Sequence, residues 1–516
     1  MRMTIAMLLD MARGAYGERI ALGSRSGGGL SYEELGARVA AGAAAIKASG
    51  AERVAFIGVN GPAFPVVLFA AASAGVPIAP LNYRLSAEQL RGQIAQLGAA
   101  LVIADEVYRG AVEGVDGVAG LVTTEEWFAA TATPLPDADP FADLDPLDVD
   151  PDATGVLLFT SGTTSAPKRV ILRHSNLISY VLQTVEFASA EEDDAILVSV
   201  PPYHIAGVGT VLTNIYSGRR LCYLPNFDAR VWLDTVRVER ISNVMLVPTM
   251  LVRIVELLDG KPAEAPHLRS LAYGGARMPG QVLESALAAF PDTGFVNAYG
   301  LTETSSTIAV LGPDDHREAF SSDDPAVRAR LGSAGRPVPG VEFQIRDEAG
   351  NPVGVGEPGL LWVRGEQVSG EYEGLGSVLD EEGWFPTKDG AYLDADGYVF
   401  ITGRSDDTII RGGENIAPAE IEDVLGRHPK LRDVAVFGAP DDTWGQKIIA
   451  AVVVLPDETA TADELRDYVR ARLRGSRTPD EVVFVEELPY TPTGKLLRNQ
   501  VAQLVADRAE DEPVGS

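Results

Sequence analysis

The sequence predicts an α/β protein: a large N-terminal domain of α/β subdomains plus a β-rich subdomain, followed by a small α+β C-terminal domain. Three textures along the chain carry this reading. Residues 30–105, and again 153–310, alternate helix-like with strand-like pieces, the order that gives a largely parallel sheet covered by helices. From about residue 331 the pieces become Gly- and Pro-punctuated strands, which read as a β-rich unit. Beyond Arg404 a helix, two strands, a second helix and a further strand follow, enough for a compact unit of its own. A chain of 516 residues also exceeds what one ordinary core supports.

Each element follows from local pattern. MRMTIAMLLDMARGAYGERI opens the chain as an amphipathic helix without a cleavage site after a sustained apolar run. SYEELGARVAAGAAAIKASG has the 3.6-residue apolar stripe of a helix and stops at a glycine, and RVAFIGV is a short buried strand. AFPVVLFAAASAGVPIAPL is nearly long enough to span a bilayer. Pro65, Gly75, Pro77 and Pro80 divide it into a buried helix and a short strand. Residues 131–152, rich in Pro and Asp, read as a surface connection. GRPVPGVEFQIRD, GLLWVRG and YLDADGYVFITGR supply the β-rich strands. IAPAEIEDVLGRH and DELRDYVRARL are the C-terminal helices, and VAVFGAP, IIAAVVVL and EVVFVEELP its strands.

Composition removes several function classes. With 43 Lys and Arg against 73 Asp and Glu the formal charge is −30, unsuited to nonspecific binding of nucleic acid or an anionic membrane. Any anionic ligand has to be gripped by local groups. The single cysteine, Cys222, excludes an intrachain disulfide and fits a reducing, cytoplasmic setting; within LCYL it is read as a packing residue. No GxSxG frames Ser161, and His174, His204, His267, His316 and His428 show no metal-site spacing, so a hydrolase is not supported.

Several loops have the chemistry of an anion site. In LLFTSGTTSAPKRVIL a strand-like run delivers the chain into hydroxyls, a glycine and Lys168, a set able to cradle a nucleoside triphosphate, with a helix starting near Ser175–Asn176. It does not match GxxxxGK[ST]. The GxGxxG match at 354–359 contains a proline and runs into a strand, so it is read as a turn. VNAYGLTETSS offers an aromatic face and a hydroxyl–carboxylate pair, and YGGARMP a Gly-rich turn at a strand end. Asp389 and Arg404 bracket a hairpin, and PYTPTGKLLRNQ sets Lys495 on a loop near the C-terminus.

Taken in order, TSGTTSAPK, PPYHIAG, YGLTE, GLLWVRG, the Asp389–Arg404 hairpin, RGGENIAPAEIE and PTGKLLR resemble the ATP-dependent adenylate-forming (AMP-binding) superfamily over nearly the whole chain. The likeness is strongest to its acyl-CoA synthetases. The resemblance implies an adenylation domain over 1–405, with its β-rich part at about 331–405, and a mobile C-terminal domain over 406–516 carrying the catalytic lysine. It implies that Thr160, Ser161, Gly162, Thr163, Thr164 and Lys168 hold the ATP phosphates. Tyr299, Asn297 and Gly300, with Gly274, Gly275 and Ala276, would form the adenine site. Thr302 would contact the α-phosphate, Glu303 would bind Mg²⁺, and Asp389 and Arg404 would hold the ribose hydroxyls. Lys495 would bridge carboxylate and α-phosphate, Asp406 would be the hinge, and Gly412 and Gly413 would line a thiol tunnel.

The implied partners are a small-molecule carboxylic acid of fatty, acyl or aryl type and the thiol of CoA, or of a carrier-protein phosphopantetheine. No nucleic acid or membrane span is implied, and a homodimer is compatible. His204 matches the family's aromatic gate; a hydrogen-bonded buried histidine is the rival reading. Ile205, Ala206 and Gly207 follow it in the acyl pocket. Ile205 stands where amino-acid-activating relatives carry an aspartate, so an α-amino acid is disfavoured. The small residues Ala206, Gly207 and Gly209 are expected to leave room for an apolar tail. Two positions depart from the pattern TSGTTGxPKG: Ser165 and Arg169 stand where glycines are common. A positive φ at either would strain the loop, and Arg169 is expected to face outward.

Overall fold

The computed structural model describes residues 3–132, 149–160, 167–412, 414–441, 443–491 and 494–511. Two large sheets form its body. One runs in the order Thr154–Thr160, Ile78–Pro80, Arg53–Ile57, Ala100–Ala104, Val118–Thr123, with the pairings from Thr154–Thr160 outward all parallel. On its other side Lys168–Arg173 pairs antiparallel with Thr154–Thr160, and Glu371–Tyr372 and Gly376–Ser377 extend that edge. The second sheet places Ser270–Gly274 and Gly294–Leu301 side by side in parallel, with Ser306–Leu311 antiparallel beyond them.

Helices fill the space between the sheets. Ile5–Tyr16, Tyr32–Ser49, Ala63–Ala74, His174–Thr184 and Ile205–Ser217 share one apolar cluster with inward residues of both sheets, among them Phe56, Leu158, Val198 and Leu221. Ala63–Ala74 is buried from Phe64 to Ala72. That burial explains its unbroken hydrophobicity, since a helix apolar on all sides belongs in a core. No helix among the described residues is long and apolar enough to cross a membrane. Tyr32–Ser49 starts at a Ser31–Glu34 capping box and ends at Gly50 in the left-handed region, as the sequence pattern requires.

A four-stranded antiparallel sheet follows, in the order Glu342–Arg346, Gly359–Arg364, Phe385–Leu393, Val399–Arg404. Next come a two-stranded ribbon, Ile409–Arg411 with Glu414–Ile416, and a three-stranded sheet of Leu431–Asp441, Gly445–Val454 and Glu481–Phe484. The two apolar clusters of this last region hold no residue before Ile409, so it has its own core. Its closing helix, Arg498–Asp511, is absent from the sequence reading. Residues 354–358 are a turn before Gly359–Arg364, not a nucleotide loop. Cys222 is buried beside Arg220 and Glu239, and burial pushes its thiol up to about 12, which makes it a packing residue.

His174 generates a pH prediction. It is 1% exposed, its Nδ1 accepts from the Ile5 backbone N–H at 3.3 Å, and burial lowers its pKa to about 4, against a smaller upward pull from Asp150. The unfolded chain therefore binds a proton that the folded one refuses between pH 6.5 and about 4, and stability is lost as pH falls through that window. Urea denaturation should show about 2 kcal/mol less stability at pH 5 than at pH 7 from this residue, and a flatter curve for His174→Asn.

Candidate active site

The site grows from the C-terminal ends of the parallel strands Ser270–Gly274 and Gly294–Leu301, where ligands gather in open α/β sheets. Gly274 lies opposite Ala298, and a Cβ there would sit 2.2 Å from the Ala298 carbonyl oxygen. Gly300 is equally constrained: its Cβ would meet the Ser306 carbonyl at 1.7 Å, so only glycine lets the chain cross itself. Gly275, at φ +84°, and Ala276 continue this edge beside Tyr299. The Asn297 side chain donates to the Ser333 carbonyl at 3.0 Å and so ties the strand to the segment that follows the turn Arg330–Gly332.

Tyr299 connects this sheet to the four-stranded one. Its hydroxyl donates to Asp389 Oδ2 at 2.5 Å, and Arg404 Nε donates to Asp389 Oδ1 at 3.0 Å. Asp389 and Arg404 are register partners on adjacent strands, which is why the hairpin brings them together. Burial, reinforced by the Asp389 charge, holds the Tyr299 hydroxyl far above the usual phenol value. Burial opposes the charge on Arg404, but Asp389, Tyr299 and Glu303 together outweigh it and the guanidinium pKa is raised.

Thr302 and Glu303 lie on a single 3₁₀ turn, Thr302–Thr304, after the strand end. The backbone N–H groups of Ser369 and Gly370 donate to the Glu303 carbonyl at 2.9 and 3.2 Å. Tyr372 Oη donates to Glu303 Oε1 at 2.9 Å, and Lys168 Nζ stands 5.2 Å from the Tyr372 ring centre. Lys168 itself starts the strand Lys168–Arg173, paired with Thr160. The helix His174–Thr184 begins only after the strand Lys168–Arg173. Ser161, Gly162, Thr163, Thr164 and Ser165 lie outside the described residues, as does Gly413.

Lys495 reaches this cluster from the far end of the chain. Its loop is closed by Thr491, which bonds Lys495 at both N–H (2.9 Å) and carbonyl (2.8 Å). The loop abuts the large domain at Gly494, where a Cβ would come 2.9 Å from Thr249 Oγ1. Burial in the cleft and the nearby Arg404 lower the Lys495 pKa, while Asp407, Asp389 and Glu303 pull it upward. Those charges therefore lie within electrostatic reach of its ammonium.

Other candidates sit elsewhere. Asp406 pairs with Lys388 at 3.8 Å on the turn before the C-terminal sheets. Gly412, at φ +58°, bonds through its N–H to the Trp444 carbonyl at 2.8 Å and lies under the Trp444 ring. His204 precedes the helix Ile205–Ser217, 4.4 Å from the Tyr203 ring. Its Nε2 is buried without a hydrogen-bond partner among the described residues, unlike a core histidine with its bonds made. Burial, with a smaller push from Arg84, lowers its pKa to about 4, so the ring is neutral near pH 7. Ile205 packs on the main core and Ala206 on the neighbouring one.

Two expectations need correction. Arg169 does not face outward: it pairs with Glu373, donates to Gln96 Oε1 at 2.5 Å, and its side chain is only 20% exposed. Its φ is not positive, so the extended strand accepts it without strain. Gly207 and Gly209 do not open an empty tunnel. A Cβ at Gly207 would meet the Pro201 carbonyl at 2.3 Å, and one at Gly209 the Tyr180 ring at 3.2 Å; close packing requires the first, and Tyr180 fills the space beside the second. Tyr372 was missed because nothing in GEYEG marks it in the sequence.

Among the described residues no three His, Cys, Asp or Glu side chains form a metal cluster. Mg²⁺ is commonly held by one or two carboxylates together with phosphate oxygens. Glu303, with Oε1 occupied by Tyr372 and no protein hydrogen bond to Oε2 among the described residues, fits that role.

The Asp389–Arg404 pair, Glu303 held by Tyr372 beside Lys168, and Lys495 on a part of the chain with its own core form a set that suits an ATP-dependent ligase. The chain belongs to the AMP-binding enzyme family, which residues 9–373 match, while 420–495 match the AMP-binding enzyme C-terminal domain. It is 32% identical over 493 residues to an indoleacetate–CoA ligase of Aromatoleum aromaticum, covering 92% of this chain and 93% of that one. It is also 32% identical to the fatty acid–[acyl-carrier-protein] ligase ScoC of Streptomyces coeruleorubidus, covering 92% and 91%. ATP-bound MatB from Rhodopseudomonas palustris superposes with a TM-score of 0.86 at 25% identity, over 98% of this chain and 99% of that one.

A Lys495 that serves a phosphate would have to be charged, and its pKa lies below the ordinary 10.5. The charge is lost as pH rises, and sooner than for a free lysine. The alkaline limb of kcat/KM for carboxylate activation should therefore fall below pH 10.5, and Lys495→Arg should move that limb upward while lowering the plateau.

Proposed function

We propose that this AMP-forming acid–thiol ligase activates a compact acyl or aryl acid as its acyl-adenylate and transfers the acyl group to CoA. The observation that carries the reading is that the Lys495 loop, from a part of the chain with its own core, is seated against Thr249 of the large domain, within electrostatic reach of Glu303, Asp389 and Arg404. In the first step a carboxylate oxygen attacks the α-phosphorus of ATP, the bond to the bridging oxygen breaks, and pyrophosphate leaves. Two anions have to approach, so positive charge and fixed geometry lower the barrier. Lys495 would neutralise both carboxylate and α-phosphate. Lys168, Thr160, Ser161, Gly162, Thr163 and Thr164 would hold the outer phosphates, and Thr302 the α-phosphate. Asp389 and Arg404 would hold the ribose hydroxyls, with Tyr299 against the base. Mg²⁺, when bound at Glu303, supplies charge neutralisation at the phosphate oxygens.

In the second step a thiolate attacks the acyl carbon, the bond to the adenylate oxygen breaks, and AMP leaves. This needs Lys495 out of the way, and we place the hinge at Asp406, whose pairing with Lys388 is exposed and therefore weak. Gly412 would then approach the pantetheine arm. The acid side is supported by a neutral His204, by Ile205 in place of a carboxylate partner for an α-ammonium, and by Tyr180 filling the space beside Gly209, which favours a compact acid over a long chain. A carrier-protein phosphopantetheine is the second reading for the acceptor, favoured by the likeness to ScoC. A cytoplasmic setting fits the single buried cysteine.

ATP–pyrophosphate exchange tests the reading. Exchange is expected with short acyl or aryl acids and not with α-amino acids. Lys495→Ala should lower it on the order of 100-fold, the usual cost of removing one preorganised charge contact, with melting temperature unchanged. Full exchange in Lys495→Ala would defeat the assignment.

A further inference from the structure

The segment Ser369–Glu373 belongs to no motif of the sequence analysis, yet it wraps Glu303 with both backbone and side chain. Its strand Glu371–Tyr372 pairs with the strand Lys168–Arg173, Tyr372 opposite Val170. Successive residues of a strand point to opposite faces, so Glu371 and Glu373 project away from Tyr372. Both are held by arginines, two from the paired strand and one from the strand Arg53–Ile57 of the same sheet. Arg173 grips Glu371 in a fork, Nε to Oε2 at 3.0 Å and NH2 to Oε1 at 2.9 Å. Arg169 pairs with Glu373, whose other oxygen accepts from Arg53 at 2.7 Å. Bidentate and shared arginine–carboxylate pairs fix orientation as well as distance.

On the opposite face the phenol meets both charged groups of the proposed phosphate site. Its hydroxyl donates to Glu303 Oε1 at 2.9 Å, and its ring lies 5.2 Å from Lys168 Nζ, within cation–π range. We propose that Tyr372 is a positioning residue, which sets the Glu303 carboxylate so that its second oxygen meets the cation, and that Arg169, Arg53 and Arg173 serve this function by locking the strand that carries it. The arginine at 169 then has a purpose that a glycine cannot fill. It is neither a phosphate contact nor a surface ornament, but one anchor of a clamp on the far side of the strand. Partners of this kind, one shell removed from a cation, act by restricting the ligand's rotamer and tuning its basicity. The inference rests on the proposed function, since it needs ATP and a divalent cation at Glu303.

Calorimetric titration of the full chain with ATP, without any carboxylic acid, separates the possibilities. One series contains EDTA and the other excess Mg²⁺; the ratio of the two affinities is the cation's contribution. Tyr372→Phe keeps the ring against Lys168 and removes only the hydroxyl. It should reduce that ratio by roughly tenfold, with the EDTA affinity and melting temperature unchanged. Arg169→Gln should move the ratio the same way by less, and the double variant should fall short of the product of the two effects. A full Mg²⁺ enhancement in Tyr372→Phe overturns the proposal. Equal loss of affinity in both series, or a failure of Tyr372→Phe to fold, also overturns it, because the phenol would then be structural. An unsubstituted protein that binds no ATP removes the functional reading itself, whereas one that binds ATP indifferently to Mg²⁺ removes only the role given to Glu303 and Tyr372.

Discussion

One nearly buried carboxylate ties the molecule's three parts together. Asp389 is 6% exposed, a costly place for a charge unless it is paired and hydrogen-bonded. Its partners come from different units: Tyr299 from the nine-stranded sheet and Arg404 from its own four-stranded sheet, with the Lys495 ammonium of the C-terminal region within electrostatic reach. Satisfying Asp389 therefore fixes how the β-rich sheet sits on the α/β body. It also fixes the Arg404 guanidinium in place in a chain whose formal charge is −30. A protein so acidic cannot attract a nucleoside triphosphate by its overall charge, so the grip has to be local.

The C-terminal region is attached by polar contacts. Its apolar clusters are its own, and its links to the body include Arg277 with Asp423 and Lys388 with Asp406. Such half-exposed pairs contribute about 0–1 kcal/mol each. An interface of that sort holds one arrangement without making it permanent, which is what a two-step reaction with one lysine in the first step and a thiol in the second would require.

Much of this was legible in the sequence, and the reason differs by residue. Gly274, Gly300 and the Asp389–Arg404 pair are local: their roles come from turn geometry and strand register within one hairpin or strand pair. The buried helix Ala63–Ala74 followed from its composition and breakers. Arg169 misled because its partner Glu373 is 204 residues away, and nothing in PKRVIL signals an inward arginine. Tyr372 was illegible for the same reason, since its strand exists only by pairing with Lys168–Arg173. Small residues were over-read as space: Gly207 and Gly209 are small because Pro201 and Tyr180 are already there. The helix Arg498–Asp511 escaped because it is strongly polar, and it buries little beyond Val501 and Val505.

The account stands most directly on the fate of the α-phosphate. A rapid-quench experiment with α-labelled ATP, an accepted acid and no thiol follows it in a single turnover. The prediction is labelled acyl-adenylate bound to the enzyme in step with pyrophosphate release, and free AMP only after thiol is added. Labelled ADP with inorganic phosphate, or ATP left intact in the presence of every acid class, would contradict it.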